Sequence, residues 1–380
     1  MAQNNGGMTV PMADLQAQHR GLRGELTDAF EQVMDTCDFG GLGANTMALE
    51  REIAGACGAK HGLGVNSGTD ALLLSLLAMG IGPGDEVITS PFTFIATGET
   101  ICLAGATPIF ADIDPQTYNL SPEAVEAKIT DKTKAILPVH LFGQLADMTR
   151  FGQMARAHNL QILGDAAQAI GATHQGKPLG AWGDANTLSF YPTKNLGACG
   201  DAGMVLTDND ELAEQIKLLR FHGSGGKGYF HKEIGYCSRL GGMQAALLRV
   251  KARRLDGWNE QRRANAARYL AALTDLSGLV LPCEERGSRH IYHQYTVRVL
   301  DGRRDDLQRF LATRGVQSAI YYPLSIHLQE AYAFLGYTEG DIPESERASR
   351  EVLSLPVHPE LSEEQAQHVA SSVRAYFGQG

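Results

Sequence analysis

Cysteine is scarce in this sequence and never paired. The six cysteines, Cys37, Cys57, Cys102, Cys199, Cys237 and Cys283, include no C-x-x-C pair, and no Cys/His cluster has metal-ligand spacing. They read as free thiols of a reducing compartment. Long apolar runs are missing too. The longest, "ALLLSLLAMGIG", is too short to cross a bilayer. The start, "MAQNNGGMTV", has neither a basic stretch nor an apolar core, so no signal peptide is expected and a cytoplasmic protein is. Excess positive charge is also absent. The net charge of −10 argues against nucleic acid as a partner, because phosphate backbones need clustered Lys and Arg. The turn "NSGTD" is not the G-x-G-x-x-G dinucleotide fingerprint, so a nicotinamide enzyme is not supported there.

What remains is an ordinary globular composition, 43% hydrophobic and 20% charged over 380 residues, enough for two domains. "LRGELTDAFEQVMD" has helical spacing, with Leu22, Leu26, Phe30 and Val33 on one face. "TMALEREIAGACG" predicts a second helix ending at glycine. "HGLGVNSGTDALLLSLLAMGIGPGDEVITS" predicts strand, turn, helix, turn and strand. Further strands are expected in 107–114, 134–143, 160–168 and 185–192. Helical segments separate several of them, which points to an α/β domain with a mainly parallel sheet. From Met243 to about Leu276 the pattern is one long Arg-rich helical stretch. Beyond it, "YHQYTVRVL" alternates as a strand and "RDDLQRFLATRG" as an amphipathic helix. The expected division is a large domain, 1–255, and a smaller C-terminal α+β domain, 256–380.

Four short motifs carry chemistry. "NSGTDALLL" puts Ser67, Gly68 and Thr69 at a helix N-terminus, where free N–H groups suit a phosphate; a plain N-cap explains the same residues. "LQILGDAAQ" places Asp165 at the carboxyl end of an apolar strand, with Gln168 three residues on. A carboxylate there can hold a ring nitrogen in its protonated form, or simply cap a helix. Phe92 and Phe94 in "TSPFTFIATGET" suit either core packing or stacking on a flat ligand. "SFYPTKN" carries Lys194, five residues after Ser189. A phosphate site, a strand-end Asp and a lysine beside a serine together suggest pyridoxal 5'-phosphate (PLP), with Lys194 forming the Schiff base and Asp165 holding the pyridinium proton.

These motifs, with "DAAQAIGATHQGKPLGAWGDANTLSFYPTKNLGACGDAGMV", "GYCSRLGGMQAALLRVK" and "YYPLSIHLQEAY", resemble the DegT/DnrJ/EryC1/StrS family of PLP-dependent sugar aminotransferases from about residue 9 onward. The resemblance implies the aspartate-aminotransferase-like fold, fold type I, and a homodimer with active sites at the subunit interface. It makes Lys194 the Schiff-base lysine and proton carrier, and Asp165 the pyridinium partner. Gln168 becomes the contact to the ring's phenolic oxygen, Gly68, Thr69 and Ser189 the phosphate cradle, and Phe94 the stacking ring. It implies glutamate as amino donor and a nucleotide-linked keto-sugar as acceptor, aminated at carbon 3, with carbon 4 as alternative. Arg239, with Lys227 and His231 behind it, is expected to meet the nucleotide phosphates. Tyr321, Tyr322 and His327 are expected to line the sugar pocket. Three positions depart from the family: Cys237 replaces the usual asparagine of "GYNSR", Gly164 stands where an acidic residue is frequent, and Ser325 replaces a proline. A sugar dehydratase, an amino-acid aminotransferase and a non-catalytic PLP-binding regulator share the scaffold. An intact Lys194 argues against the dehydratase, whose lysine is replaced by histidine.

Overall fold

The computed structural model describes residues 8–225 and 229–378. Its centre is a seven-stranded sheet of β1 (His61–Val65), β2 (Glu86–Thr89), β3 (Thr107–Phe110), β4 (Thr133–Leu137), β5 (Gln161–Asp165), β8 (Ala185–Ser189) and β9 (Gly203–Thr207), in the order β1-β9-β8-β5-β4-β2-β3. Between β5 and β8 lies a small hairpin, β6 (Thr173–His174) with β7 (Lys177–Pro178). Only β9 runs against its neighbours β1 and β8; β8, β5, β4, β2 and β3 are parallel.

Side chains alternate across this sheet, as the period of two requires. Ile88, Ile136, Ile162, Leu188, Met204 and Leu206 enter one core. Val87, Ala135, Leu137, Leu163 and Val205 enter the other. Helix α1 spans Leu15–Thr36 and α2 spans Ala44–Cys57. Leu49, Ile53 and Ala54 of α2 pack on the first face. On the second lie α3 (Gly68–Ala78) and α4 (Ala96–Leu103), with Leu72, Leu76 and Ile101 buried. Burial on both faces explains why the strands read as apolar runs rather than alternating ones.

A second, antiparallel sheet joins β10 (Leu279–Val280), β11 (Tyr295–Val299) and β12 (Val352–Leu355). Its core holds Tyr269, Leu273, Val297, Leu311, Leu353 and Val373. Val10 belongs to this core and pairs with Val316. The long helical stretch expected from Met243 is two helices, Gly242–Ala252 and Leu255–Leu273. They break where the chain passes from one core to the other: Ala245 and Leu248 pack in the first, Ala266 and Tyr269 in that of the small sheet. On α1, Leu22 and Val33 are buried, but Phe30 is exposed, so the expected apolar face is only partly covered.

Gly164 has a physical reason. It pairs with Asn186 across β5 and β8, and a Cβ on it would strike Asn186 Oδ1 and come within 2.9 Å of His140 Nε2. Asn186 has no room to retreat, because its Nδ2 donates to Leu179 O and Trp182 O at 3.3 and 2.8 Å. We therefore expect Gly164→Ala to destabilise the protein by about 1–3 kcal/mol, the usual range for overpacking. Urea denaturation measures it; an unchanged midpoint would contradict the packing argument.

Candidate active site

The carboxyl ends of β4, β5 and β8 reach one edge of the sheet. Asp165 closes β5, Ser189 closes β8, and Asp165 pairs with Thr187 of that neighbouring strand. Gly203, at the start of β9, is flanked by Ser189 on one side and Val65 on the other. This brings the turn into α3 against Ser189. The approach is so close that a Cβ on Gly68 would lie 2.7 Å from Ser189 Cβ, and one on Gly203 would strike Ser67 O. Only glycine fits at either place.

Ser67 caps α3: its Oγ accepts from Asp70 N at 3.0 Å. Among the described residues, the N–H groups of Gly68 and Thr69 donate to no protein group. They are first-turn donors that an anion can take, on the positive end of an 11-residue helix. Ser67 is thus the cap, and the next two residues are left free to meet an anion.

Asp165 is 6% exposed. Thr97 Oγ1 donates to its Oδ2 at 2.8 Å and Ala167 N to its Oδ1 at 3.2 Å. Burial pushes its pKa above the ordinary carboxylate value; these two hydrogen bonds and the Lys194 charge pull the other way. The turn after β8, closed by Lys194 N donating to Tyr191 O at 2.8 Å, carries Lys194 to the same cavity. Burial pushes the Lys194 pKa down to about 8, and Asp165 partly offsets the fall. No protein hydrogen bond holds Lys194 Nζ among the described residues. Gln168 Oε1 accepts from Phe142 N at 2.7 Å, which fixes the amide so that Nε2 faces Tyr322 Oη at 3.2 Å.

A cavity of about 530 Å³ joins these groups, within the range of small-ligand sites. Gly68, Thr69, Phe94, Asp165, Gln168, Ser189, Lys194, Tyr321 and Tyr322 all line it. Phe94 is 57% exposed there, an aromatic face left in water. Phe92 is core, edge-on to Phe142 and Tyr322 at 6.3 and 6.2 Å. These residues fit PLP: free N–H donors and a serine hydroxyl for the phosphate, a desolvated carboxylate for the ring nitrogen, an open aromatic face, and an amine half-neutral near pH 8.

Two expected site residues lie elsewhere. His327 does not line the cavity. The single turn Ile326–Leu328 tucks it beside Phe110 and Tyr337, fully buried, with Nε2 3.3 Å from Glu346 Oε1. Arg239 is outside the cavity of its own chain; its guanidinium lies over the Phe221 ring at 4.8 Å and donates to Cys237 Sγ at 3.2 Å. His231 is exposed, with Nδ1 2.8 Å from His222 O. Lys227 lies outside the described residues. Ser325 is buried against Ser349 Oγ at 3.1 Å. The sequence reading missed Thr97, Thr93, Tyr191, His293 and Gln294. Thr97 had a signal: it follows Phe94 by three residues in "FIAT", so one helical turn carries it from the rim to the buried Asp165.

The DegT/DnrJ/EryC1/StrS aminotransferase family model matches residues 21–374. The chain belongs to this family. It is therefore a PLP-dependent aminotransferase of fold type I. It is 50% identical to the Geobacillus stearothermophilus "pleiotropic regulatory protein", over 97% of this chain and 99% of that one. It is 44% identical to the UDP-N-acetyl-3-dehydro-alpha-D-glucosamine 3-aminotransferase of Acidithiobacillus ferrooxidans, over 98% and 99%. The crystal structure of S. venezuelae DesV superposes with TM-score 0.94 at 43% identity, covering 97% of this chain and 98% of that one. Among the described residues, no helix is long and apolar enough to cross a membrane, and no group of three or more His, Cys, Asp or Glu is placed to hold a metal.

The cradle yields a direct test. Gly68→Ala forces the α3 turn away from Ser189 and blocks the approach to the free N–H groups. We expect PLP affinity to fall about tenfold or more, the loss of one to two charge-assisted hydrogen bonds. Fluorescence titration of the apo-protein with PLP measures it, and unaltered affinity would place the phosphate elsewhere.

Proposed function

We propose that the chain transfers an amino group from glutamate to carbon 3 of a nucleotide-linked keto-sugar. The observation that carries this reading is one cavity holding Lys194, an amine half-neutral near pH 8, beside the desolvated Asp165 and the free N–H groups of α3. PLP, when bound, supplies an electron sink for the bonds at the amino-bearing carbon. The chain's residues do the rest. Gly68, Thr69 and Ser189 would hold the phosphate. Phe94 covers a ring face. Asp165 would hold the ring nitrogen in its protonated form, and Gln168 would meet the ring's oxygen. Lys194 Nζ takes the proton from the donor carbon and returns one to the acceptor carbon. Tyr321 and Tyr322 border the sugar.

The carbon-3 assignment draws on the relative named as a 3-aminotransferase of a UDP-sugar. Carbon 4 is the alternative. Incubating the enzyme with PLP, glutamate and a panel of 3-keto and 4-keto nucleotide sugars, with NMR of the product, decides between them. Amino-sugar from the 4-keto compounds alone would move the reaction to carbon 4.

A second reading has its own support: the 50%-identical relative is named a regulatory protein. A PLP-binding regulator would bind the cofactor through Lys194 and turn over no keto-sugar in the same panel.

The proposal includes a homodimer with sites at the interface and Arg239 serving the neighbouring subunit's nucleotide phosphates. Tyr229, Phe230 and Ile234, at 97%, 81% and 93% exposure, lie just before Cys237 and Arg239 and stand in water on a lone chain. Analytical ultracentrifugation is expected to give a dimer; a monomer at micromolar concentration would contradict it. We also propose the two-domain division, 1–255 and 256–380. It is supported by the separate core of the small sheet, to which Val10 also contributes.

A further inference from the structure

A buried chain of side chains runs from a backbone carbonyl to the cavity wall beside Lys194. Ile170 O can only accept, so the Asn259 atom 3.1 Å from it is Nδ2. Asn259 Oδ1 therefore faces Asn195 and takes its Nδ2 hydrogen at 2.7 Å. Asn195 Nδ2 also points to Ile291 O at 3.5 Å, a second group that only accepts. That leaves Asn195 Oδ1 to accept from His293 Nδ1 at 2.9 Å. Each amide is oriented by a carbonyl, and the imidazole tautomer follows: the proton is on Nδ1 and the lone pair on Nε2.

The surroundings hold this arrangement in place. Asn195, Asn259 and His293 are all buried. Gly171, at φ +91°, leaves the space in which Asn259 sits; a Cβ there would lie 2.7 Å from Asn259 Nδ2. Arg262 Nη1 donates to the carbonyls of Tyr292 and His293 at 3.3 and 3.1 Å, fixing the backbone under the ring. His293 lines the same cavity as Lys194. Neither Nε2 of His293 nor Nζ of Lys194 carries a hydrogen bond among the described residues.

We propose that His293 is a positioning residue for Lys194: the two are not yet hydrogen-bonded to each other, and when the free amine turns toward the ring the Nε2 lone pair accepts one of its N–H groups and so aims the amine's own lone pair into the cavity. The inference rests on Lys194 being the working amine. His293 does not compete for the proton that Lys194 carries. Burial and the nearby Lys194 and Arg262 charges hold its pKa well below that of an ordinary histidine. It is a neutral acceptor beside a base, with an orientation set more than one side chain away.

The test has two parts. Nitrogen-15 NMR of histidine-labelled protein, with His293→Gln to assign the signal, reads the tautomer directly. A neutral ring protonated on Nδ1 is expected at pH 7, and Asn259→Leu should release it into a mixture. A ring protonated on Nε2, or on both nitrogens, overturns the proposal. The second part is the rate at which apo-protein captures added PLP. His293→Leu should slow capture about tenfold, the worth of one hydrogen bond. His293→Gln, which keeps an acceptor near the Nε2 position, should restore it. If His293→Leu captures PLP as fast as wild type while Lys194→Ala captures none covalently, the positioning role alone falls. If Lys194→Ala captures it as wild type does, the reading beneath falls too.

Discussion

Lys194→Ala is expected to lower the transamination rate by about 10⁴-fold or more, because in the proposed mechanism one amine both attacks and carries the proton, and proton transfer alone contributes about 10²–10⁴. The fold should not suffer. Nζ has no protein hydrogen bond to lose, and its desolvation opposes the charged form. The melting temperature should therefore hold or rise, the usual sign of a residue kept for chemistry at a cost in stability. With a pKa of about 8, roughly a tenth of the amine is neutral at pH 7. An ordinary lysine would be neutral at well under one part in a thousand. On the proposed role of Lys194 the neutral amine is the base, so kcat should climb from pH 6 and level off above about 8. Stopped-flow single turnovers with glutamate and a keto-sugar measure both effects. Retention of more than about a hundredth of the rate by Lys194→Ala would remove this amine from the mechanism.

The parts of the site that were legible in the sequence share one property: each lies at the end of a strand or the start of a helix. "LQILGD" and "ANTLS" announce β5 and β8 by apolar runs, and a parallel sheet puts their ends together. "NSGT" announces the α3 N-terminus. What was hidden depends on pairings between distant segments. Strand β9, "GMVLT", is an apolar run bounded by glycine and "DND", signal enough for a strand but not for its antiparallel direction. His293 sits in "YHQYTVRVL", expected to be strand throughout; the strand begins only at Tyr295, and the two residues before it, His293 and Gln294, line the cavity. The resemblance of "YYPLSIHLQEAY" implied a place for His327 in the pocket. Its burial is decided by Glu346 and the Phe110 ring, 19 residues later in sequence and over 200 earlier. A histidine beside a turn gives no hint of such partners.

Asp165→Asn should cost about 10²–10⁴ in kcat with the fold intact. Asparagine keeps the size, and Thr97 and Ala167 keep a partner, since the Thr97 hydroxyl can turn to accept from the new amide and already has Thr93 Oγ1 at 3.0 Å. What disappears is a negative charge in a desolvated place. Leaving a buried cation without its partner costs about 3–5 kcal/mol, which is about 10²–10⁴ in rate when the pair matters most at the transition state. The pH profile separates this charge effect from a packing fault. Burial raises the Asp165 pKa above the ordinary carboxylate value. The wild-type rate should therefore fall as pH drops through that raised value, as the carboxylate takes up a proton. Asp165→Asn has no such proton to gain, so its residual rate should lack this acid limb. Loss of rate with the acid limb unchanged would assign the limb to another group, and a rate within about tenfold of wild type would remove the buried charge from the chemistry.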